Sequence, residues 1–579
     1  MIFILGKKIG SSALKLSLMS VFLKHSFKKS LRIAGVIILF FAFSCSQKQK
    51  VDLIVHNAIV YTVDEKFSMA EAFAVKDGKF VETGTSENIL AKYEATNMID
   101  AQGKPVYPGF HDAHCHFYGY GNFLQSANLV GTDSFQSILD TLVSFRKSHP
   151  DQAWLIGRGW DQNDWDVQEF PEKTALDSLF PDIPVLLTRI DGHAALANQK
   201  ALDLAKISKD TKVSGGVVGI KDGKLTGILV DNAIGKVRNS IADPSEKEIE
   251  KALFDAQEKC FEVGLTNLSD AGLSRNVIEV IDKMQKAGSL QMRMYVMVSS
   301  TDEDLEYYLN KGIYKTDFLN VRSFKLYADG ALGSRGACLL EPYKDKSDQT
   351  GFLLSSPEKL EEMIKKISEK GFQVNTHCIG DSANRLVLDL YGKYLKDKKD
   401  QRWRIEHAQV VSKEDQKKFG EFNVIPSVQP THCTSDMFWA LDRLGKPRLR
   451  TAYAYKDLLA QNKVIALGSD FPVEDINPLY GFYAAVFRQD ANNNPVDGFQ
   501  MENALTREEA LKGMTIWSAY ANFEEKEKGS IDAGKFADFV ILEEDIMKIS
   551  KEKIRSVKVW QNYVNGKLVY KKKEEVAGM

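Results

Sequence analysis

Cysteine is scarce in this sequence and shows no sign of a disulfide framework. The chain has six cysteines in 579 residues, and no two of them stand in a C-x-x-C pair. Thiolate zinc sites and thioredoxin-like redox motifs both need cysteines at such short spacing. The sequence therefore argues against both kinds of site. Cys115 and Cys378, which have no indicated base partner, are predicted to be small packing residues.

Low-complexity segments and an excess of basic residues are also lacking. Apolar residues make up 44% and charged residues 27% of the chain, with a formal net charge of −2. This composition is ordinary for a globular protein, and it implies no nucleic-acid partner. At this length we expect one large domain and at least one smaller unit.

The first 44 residues lack acidic side chains altogether. They contain seven Lys or Arg residues and end in the apolar run Ile33–Phe43, an arrangement typical of a secretory signal. The run is too short to cross ~30 Å of hydrocarbon comfortably. The segment from Ala42 to Cys45 (AFSC) resembles a bacterial lipobox. We expect residues 1–45 to be a lipoprotein signal peptide ending at lipidated Cys45. A retained signal-anchor helix is the alternative.

This anchor predicts a location in the bacterial cell envelope, with the protein held at a membrane by lipid and facing the periplasm or the exterior. Loss of residues 1–44 removes seven positive charges and no negative ones, so the formal net charge falls from −2 to −9. The sequence does not indicate which membrane holds the anchor, nor the oligomeric state.

Both ends of the remaining chain read as short β-strands. Asp77-Gly78 between apolar runs is a strong hairpin signal. Neither end has enough strands to bury a sheet face alone, so we expect residues 46–105 and 515–579 to form one small composite β-sandwich.

The interior alternates β-branched runs with amphipathic helical stretches, the pattern of βα units. Eight candidate strands run from Pro105 to His116, Gly264 to Asp270, Met292 to Ser299, Val321 to Asp329, Phe372 to His377, Trp403 to His407, Val424 to Gln429 and Val464 to Asp470. They predict an α/β fold with a TIM (β/α)8 barrel over residues 106–514. The long gap after the first strand predicts an inserted subdomain at about 120–255.

Several of these strands end on residues that commonly bind metal ions. His114 and His116 close the first strand, and three later strands end on His377, His407 and Asp470. The carboxyl ends of TIM-barrel strands meet at one mouth, so ligands distant in sequence come together there. The alternative for each histidine is a satisfied core imidazole.

An ordered set of motifs resembles the amidohydrolase superfamily, in the amidohydrolase 3 branch that includes N-substituted formamide deformylase-like proteins. The matching segments are PGFHDAHCH (108–116), FKLYADGALGSR (324–335), NTHCIGD (375–381), RIEH (404–407), ALGSDFP (466–472) and GSIDAGKFAD (529–538). The resemblance covers roughly residues 51–570. It implies a metal-dependent hydrolase that acts on a small-molecule substrate.

The resemblance also implies a role for each matching residue. His114 and His116 would bind a buried divalent metal, zinc or a similar ion, and His377 and His407 an outer one. Lys325, carboxylated by CO₂, would bridge the two ions. Asp470 would be a ligand and also the base that passes a proton to the leaving group while metal-bound hydroxide attacks. The alternative for Lys325 is an unmodified amine paired with Asp329, leaving one metal per chain.

Other residues receive weaker assignments. Asp191, His193 and Arg335 resemble positions that approach the substrate in this branch, and a loop-holding role is the alternative for each. Trp160 and Asp161 are expected to serve packing and surface roles, and a place in the pocket lining is the alternative for both. His111 and His432 receive no role from the sequence.

The predicted reaction is hydrolysis of a carbon–nitrogen bond other than a peptide bond, in an amide or N-acyl compound. A deaminase is disfavoured because Gly380 stands three residues after His377, where deaminases of the superfamily commonly carry Glu. The same site would also suit a lactone, an ester or a phosphotriester. A non-catalytic surface lipoprotein that binds a solute or metal is the remaining alternative.

Overall fold

Eight parallel strands form a nearly closed barrel at the centre of the molecule. The computed structural model describes residues 48–150, 152–396, 398 and 400–573. The barrel strands are Phe110–Cys115, Leu265–Leu273, Arg293–Ser299, Leu319–Tyr327, Gln373–Cys378, Arg404–His407, Ile425–Val428 and Ala466–Leu467, in that spatial order. The short strand Tyr314–Lys315 pairs with the fourth barrel strand. The predicted α/β barrel fold is confirmed.

Helices cover the outside of the barrel between successive strands. They are Glu246–Glu262, Arg275–Ala287, Asp302–Lys311, Pro357–Glu369, Asp381–Leu395, Lys413–Glu421, Tyr455–Asn462 and Arg507–Gly513. The helix Arg275–Ala287 shows how they pack, because it buries Val277, Ile278, Ile281 and Met284 along one stripe. The predicted capping box at Thr506 and Glu509 is present at the start of the last helix.

Further helices lie at the ends of the barrel and in the flanking sheets. They are Ser86–Lys92, Phe117–Phe123, Phe135–Ser148, Thr174–Leu179, Gln199–Leu204, Asn232–Arg238, Pro430–Asp436, Ala440–Leu449, Pro478–Phe487, Ile516–Ala521 and Lys551–Ile554, with 3-10 turns at Gln162–Asp164 and Met501–Asn503. The helix Ala440–Leu449 contains a kink at Gly445.

The first predicted strand, Pro105 to His116, is in fact two strands. Pro105–Pro108 pairs with Phe539–Leu542 in a peripheral sheet, and the barrel strand begins at Phe110. Between them, Gly109 lies so close to Thr266 that a Cβ atom would stand 2.1 Å from its Oγ1. The prediction of one continuous strand was wrong because this close approach divides two sheets.

Backbone hydrogen bonds bring the last barrel strand beside the first. The amide of Asp470 donates to the carbonyl of His114 at 2.7 Å, and the amide of His116 donates to the carbonyl of Phe471 at 2.8 Å. Residues more than 350 positions apart in sequence thereby become neighbours at the mouth of the barrel.

The two chain ends share a sheet. Its strands, in spatial order, are Lys567–Lys571, Val559–Val564, Phe539–Leu542, Pro105–Pro108, Ile59–Tyr61 and Met69–Ala70. A second sheet consists of Lys79–Gly84, Ala72–Lys76, Gln49–His56 and Tyr93–Asp100. The predicted hairpin at Asp77-Gly78 is present, with both residues in the left-handed region that a two-residue turn needs.

A third peripheral sheet belongs to the long segment between the first two barrel strands. Its strands are Gly216–Lys221, Lys224–Asp231, Ala194–Ala197, Val185–Arg189, Leu155–Trp160 and Ala127–Asn128, in spatial order. We call this unit the inserted sheet. One face of the sheet buries Trp160 and Leu187 among other apolar side chains. Other residues of the unit, such as Asp191 and Asp231, line the cavity at the barrel mouth.

The predicted signal peptide and the lipidation site Cys45 lie outside the described residues. Within the residues that the structure describes, no helix is both long enough and apolar enough to cross a membrane.

Candidate metal centre

The mouth of the barrel opens into a large cavity between the strand ends and the inserted sheet. Its volume is about 2930 Å³. Five of the six predicted metal ligands line it: His116, Lys325, His377, His407 and Asp470. His114 lies just beneath, fully buried. The structure therefore brings together all six residues that were predicted to bind metal.

His114, His116 and Asp470 form the tightest group of potential ligands. The Nε2 atom of His116 is 3.1 Å from Oδ1 of Asp470, and the Nε2 atom of His114 is 3.5 Å from the same oxygen. Burial alone would raise the pKa of Asp470, but the hydrogen bond from His116 and the electrostatic influence of the surrounding imidazoles hold it well below its usual range. Asp470 is thus an anion at neutral pH.

The spacing of these atoms fits a bound cation. Ligands about 2.1 Å from one tetrahedral zinc ion are about 3.4 Å apart. The separations of 3.1 and 3.5 Å around Asp470 are close to that value. Imidazole and carboxylate are also donors that divalent transition metals prefer. The residues present therefore suit the metal that the sequence predicts.

Lys325 reaches the same group from the fourth strand. Its Nζ atom is 3.2 Å from Nε2 of His114 and lies over the ring of Tyr327. Burial lowers the pKa of Lys325 to about 8. The alternative pairing with Asp329 is not what the structure shows, because Asp329 accepts backbone amide hydrogens from Cys338, Ile379 and Gly380.

His377 and His407 stand beside this group as neutral imidazoles. Their ring centroids are 4.5 Å apart, and the ring of His407 is 4.8 Å from that of His114. Burial lowers the pKa of both well below the usual value, so each keeps a lone pair for a metal. The Nδ1 atom of His407 is held by Oε1 of Gln429 at 2.8 Å.

The backbone is in the left-handed region at two of these positions. His407 has φ of 72° and Asp470 has φ of 63°, which is unusual for residues other than glycine. In a regular strand, His407 and Glu406 would point to opposite faces. The turn at His407 lets both side chains approach His114, and backbone strain of this kind is concentrated at functional sites.

Glu406 is a functional residue that the sequence analysis did not single out. Its Oε2 atom is 2.5 Å from Nδ1 of His114, and its Oε1 atom is 2.7 Å from Arg404; all three side chains are fully buried. The carboxylate fixes His114 with Nδ1–H as donor, leaving Nε2 free toward Asp470. Glu406 is part of the RIEH motif, and this position could have identified it from the sequence.

Asp112 has a comparable role between the first and last strands. Its carboxylate accepts the amide of His114 and, from the eighth strand, the amide and the hydroxyl of Ser469, the last at 2.6 Å. These bonds fix the position of the first ligand strand relative to Asp470.

His432, to which the sequence analysis assigned no role, also belongs to the site. Its Nε2 atom is 3.8 Å from Oδ2 of Asp470 and, within the described residues, has no hydrogen-bond partner. Potential ligand atoms of His407, His432 and Asp470 all lie within 4.8 Å of one another. Its position three residues after Gln429, where the seventh strand was predicted to end, was the signal.

Asp191 and His193 lie on the cavity wall opposite the barrel. Nδ1 of His193 is 2.6 Å from Oδ1 of Asp231, and its ring centroid is 5.2 Å from that of His377. Burial alone would lower the pKa of His193, but Asp231 outweighs it and the pKa is raised. Asp191 accepts the amide of His193 and pairs with the buried Arg189 at 2.6 Å. Asp191 therefore holds the turn that presents His193.

Arg335 does not reach the cavity. Its guanidinium pairs with Asp345 at 2.9 Å, and its approach to substrate stays a prediction. Asp161, expected at the surface, lines the cavity and pairs with Arg189. Trp160 is buried and donates to the carbonyl of Leu187, a packing role as predicted.

Two cysteines and one histidine near the site are structural. Burial raises the pKa of Cys115 and Cys378 well above the usual value, so neither is a nucleophile. Burial lowers the pKa of His111 well below its usual value. Nε2 of His111 accepts a hydrogen bond from Nδ2 of Asn522 at 3.0 Å, beneath the ligand layer.

Comparison with known proteins agrees with this geometry. A model of the Amidohydrolase family matches residues 97–570. The chain is 34% identical to the putative amidohydrolase YtcJ of Bacillus subtilis (strain 168), over 89% of this chain and 99% of that protein. It is 24% identical to the N-substituted formamide deformylase of Arthrobacter pascens, over 90% of this chain and 98% of that protein.

A solved structure shows the same architecture. The crystal structure of an uncharacterized metal-dependent hydrolase from Pyrococcus horikoshii OT3 has a TM-score of 0.71 and 25% sequence identity, covering 86% of this chain and 99% of that one. The predicted family resemblance is confirmed. With matching sequence over most of its length and the ligand residues gathered at the barrel mouth, this chain belongs to the amidohydrolase family and is a metal-dependent hydrolase.

Proposed function

We propose that this protein hydrolyses the carbon–nitrogen bond of an amide or N-acyl small molecule, using one or two zinc ions. The observation that carries the proposal is the convergence of His114 and His116 on Asp470 at 3.1–3.5 Å, with His377, His407 and Lys325 beside them. The relative named N-substituted formamide deformylase supports an amide-type substrate.

His114, His116, His377, His407 and Asp470 would hold a divalent cation, which would lower the pKa of bound water from about 15.7 toward 7 and polarise a carbonyl group. Asp470, ionised at neutral pH, accepts the proton of the attacking water and passes it to the leaving nitrogen. His193, whose pKa Asp231 raises, donates a hydrogen bond to the substrate carbonyl oxygen. The buried Glu406 keeps His114 in the tautomer that binds metal through Nε2.

Lys325 has the properties needed for carboxylation. Burial lowers its pKa to about 8, so a useful fraction of the amine is neutral near physiological pH. A neutral amine adds to CO₂ and releases one proton, giving a carbamate with two oxygens. That carbamate would bridge two metal ions, as the family resemblance implies. Carbon-13 NMR after incubation with labelled bicarbonate would detect the carbamate, and Lys325→Ala would abolish its signal.

A deaminase is the poorer interpretation of the same barrel. At Gly380, a Cβ atom would stand 2.0 Å from the backbone oxygen of Cys338. No side chain fits there without movement of the backbone, so the glutamate that deaminases commonly carry at this position has no room.

The test combines metal content with a substrate panel. The full chain in detergent is analysed for metals and assayed on N-formyl and N-acetyl amines, with lactones, esters and phosphotriesters in parallel. We expect one to two zinc ions per chain and activity on amides, both reduced in His377→Ala. Asp470→Asn should lower kcat about 10²- to 10⁴-fold. Faster turnover of esters or phosphotriesters, or activity indifferent to both substitutions, would contradict the proposal.

We also propose that Cys45 carries the lipid anchor in the cell envelope. Metabolic labelling with palmitate should mark the wild-type chain and leave Cys45→Ser unlabelled in the soluble fraction. Equal membrane association of both chains would favour a retained signal-anchor helix.

A further inference from the structure

Two arginines of the inserted segment face the cavity without an acidic partner. Arg158 lies in the strand Leu155–Trp160, and Arg238 ends the helix Asn232–Arg238. Both line the cavity above the metal centre. Within the described residues, neither guanidinium forms an ion pair with a carboxylate.

Three arginines that are more deeply buried than Arg158 pair with carboxylates. Arg189 pairs with two aspartates, Arg293 pairs with Asp538, and Arg404 pairs with Glu406. Arg158 instead donates one hydrogen bond, from Nη2 to the carbonyl of Ile190 at 2.9 Å, and its Nε atom has no partner within the described residues. A guanidinium with unused donors in a protein wall is costly unless an anion binds it.

Arg158 lies against the turn that carries His193. A Cβ atom at Gly192 would stand 3.4 Å from Nη1 and 3.5 Å from Nη2 of Arg158. The charges of Asp470 and Asp191 both act on Arg158, and that of Arg238 opposes it, although burial is the main influence that lowers its pKa, to about 10. Arg158 is therefore charged at neutral pH and close to the reacting groups.

Arg238 lies on the same side of the cavity. Its charge acts on Arg158 and on the hydroxyl of Tyr327, whose ring stands beside Lys325. Arg238 is exposed to the cavity, and its charge opposes that of Arg158, so an anion bound between the two would relieve the repulsion. The planar fork of a guanidinium matches a carboxylate in shape. The nearby Asp470 and Asp191 disfavour a doubly charged phosphate.

We infer that Arg158 and Arg238 bind a carboxylate of the substrate, so that the preferred substrates are N-acyl compounds carrying a free carboxylate, such as N-acyl amino acids. This inference rests on the proposed amide hydrolysis and names its substrate class. The inserted segment thus selects the substrate, while the barrel supplies the chemistry.

The test uses pairs of substrates that differ in one charge. N-acetyl derivatives of alanine, leucine and phenylalanine are compared with their C-terminal carboxamides, following acetate release by the zinc-loaded full chain. We expect the wild type to prefer the carboxylates at least 10-fold in kcat/KM. Arg158→Gln should lower kcat/KM for the carboxylates about 10- to 100-fold, since a hydrogen bond to a charged group is at stake, and leave the carboxamides within about twofold.

Arg238→Gln should act in the same direction. Arg146→Gln is the matched control, because Arg146 also donates to backbone carbonyls in the inserted segment, those of His149 and Gln152, but does not line the cavity. Its kinetics should equal those of the wild type. Equal losses on both members of each substrate pair in Arg158→Gln, or no preference in the wild type, would overturn the inference.

A binding measurement separates this inference from the proposed function. Calorimetry with Asp470→Asn, in which hydrolysis is suppressed, measures the affinity for N-acetyl-leucine and for inorganic phosphate. Binding of the carboxylate that Arg158→Gln abolishes supports the anion site even if no amide is hydrolysed. Hydrolysis of neutral amides without carboxylate binding, or phosphate binding as tight as carboxylate binding, would refute the inference while amide hydrolysis stands.

Discussion

Glu406→Gln should weaken metal binding although Glu406 is not one of the predicted metal ligands. The Glu406 carboxylate is 2.5 Å from Nδ1 of His114, and both side chains are completely buried. Arg404 and His114 hold the pKa of Glu406 below its usual range against the effect of burial, so the group is an anion. The substitution removes that charge and lets the amide present either N–H or oxygen to the imidazole.

The size of the effect follows from these contacts. Loss of a carboxylate that orients a metal-binding histidine typically lowers metal affinity about 10- to 100-fold, or about 1.4–2.7 kcal/mol. The substitution also leaves the buried Arg404 without its anion, and breaking such a pair costs about 3–5 kcal/mol. Asn522, Ser427 and the carbonyl of Ala113 still accept hydrogen bonds from Arg404, so we expect the lower end of that range.

Two assays measure these quantities separately. Zinc affinity is obtained by competition with a chromophoric chelator, and the free energy of unfolding of the metal-free chain by urea titration. Glu361→Gln is the control, because Glu361 pairs with Lys393 at the surface and such pairs contribute about 0–1 kcal/mol. If folded Glu406→Gln binds zinc as tightly as the wild type, the assigned role of Glu406 in orienting His114 is wrong.

Three further substitutions test other parts of the structure. Asp231→Asn should lower the pKa of His193 and reduce kcat by about 10-fold or more with zinc content unchanged; an unchanged kcat would remove His193 from the mechanism. Gly109→Ala should destabilise the fold by about 1–3 kcal/mol in urea titration, because the new methyl group collides with Thr266, and an unchanged midpoint would show that the two sheets separate easily. Ser245 and Glu248 form a capping box at the start of the helix Glu246–Glu262. Ser245→Ala removes this N-cap and should lower the free energy of unfolding by about 1 kcal/mol; an unchanged value would mean that the capping box does not stabilise the fold.

The barrel and its ligands were readable from the sequence because both depend on local patterns. Strands rich in β-branched residues alternate with amphipathic helices, and each predicted ligand lies at or near the carboxyl end of a strand. In a parallel barrel every such position lies at the same mouth, so His114 and Asp470 could be placed together although they are far apart along the chain. The hairpin at Asp77-Gly78 was equally local.

Contacts between distant segments were decided only by the tertiary structure. The division of the first predicted strand at Gly109 depends on the close approach of Thr266. The tautomer of His114 depends on Glu406, which in a regular strand would point to the face opposite His407. No local pattern in the sequence tells whether Arg335 or Arg158 has an acidic partner. In the structure, Arg335 pairs with Asp345, whereas Arg158 faces the cavity and pairs with no carboxylate of the described residues. The sequence determined which metal chemistry the barrel supports, because ligand type and strand position are local properties. The arrangement of charges around the cavity, to which we assign substrate selection, exists only once the inserted segment has packed over the barrel mouth.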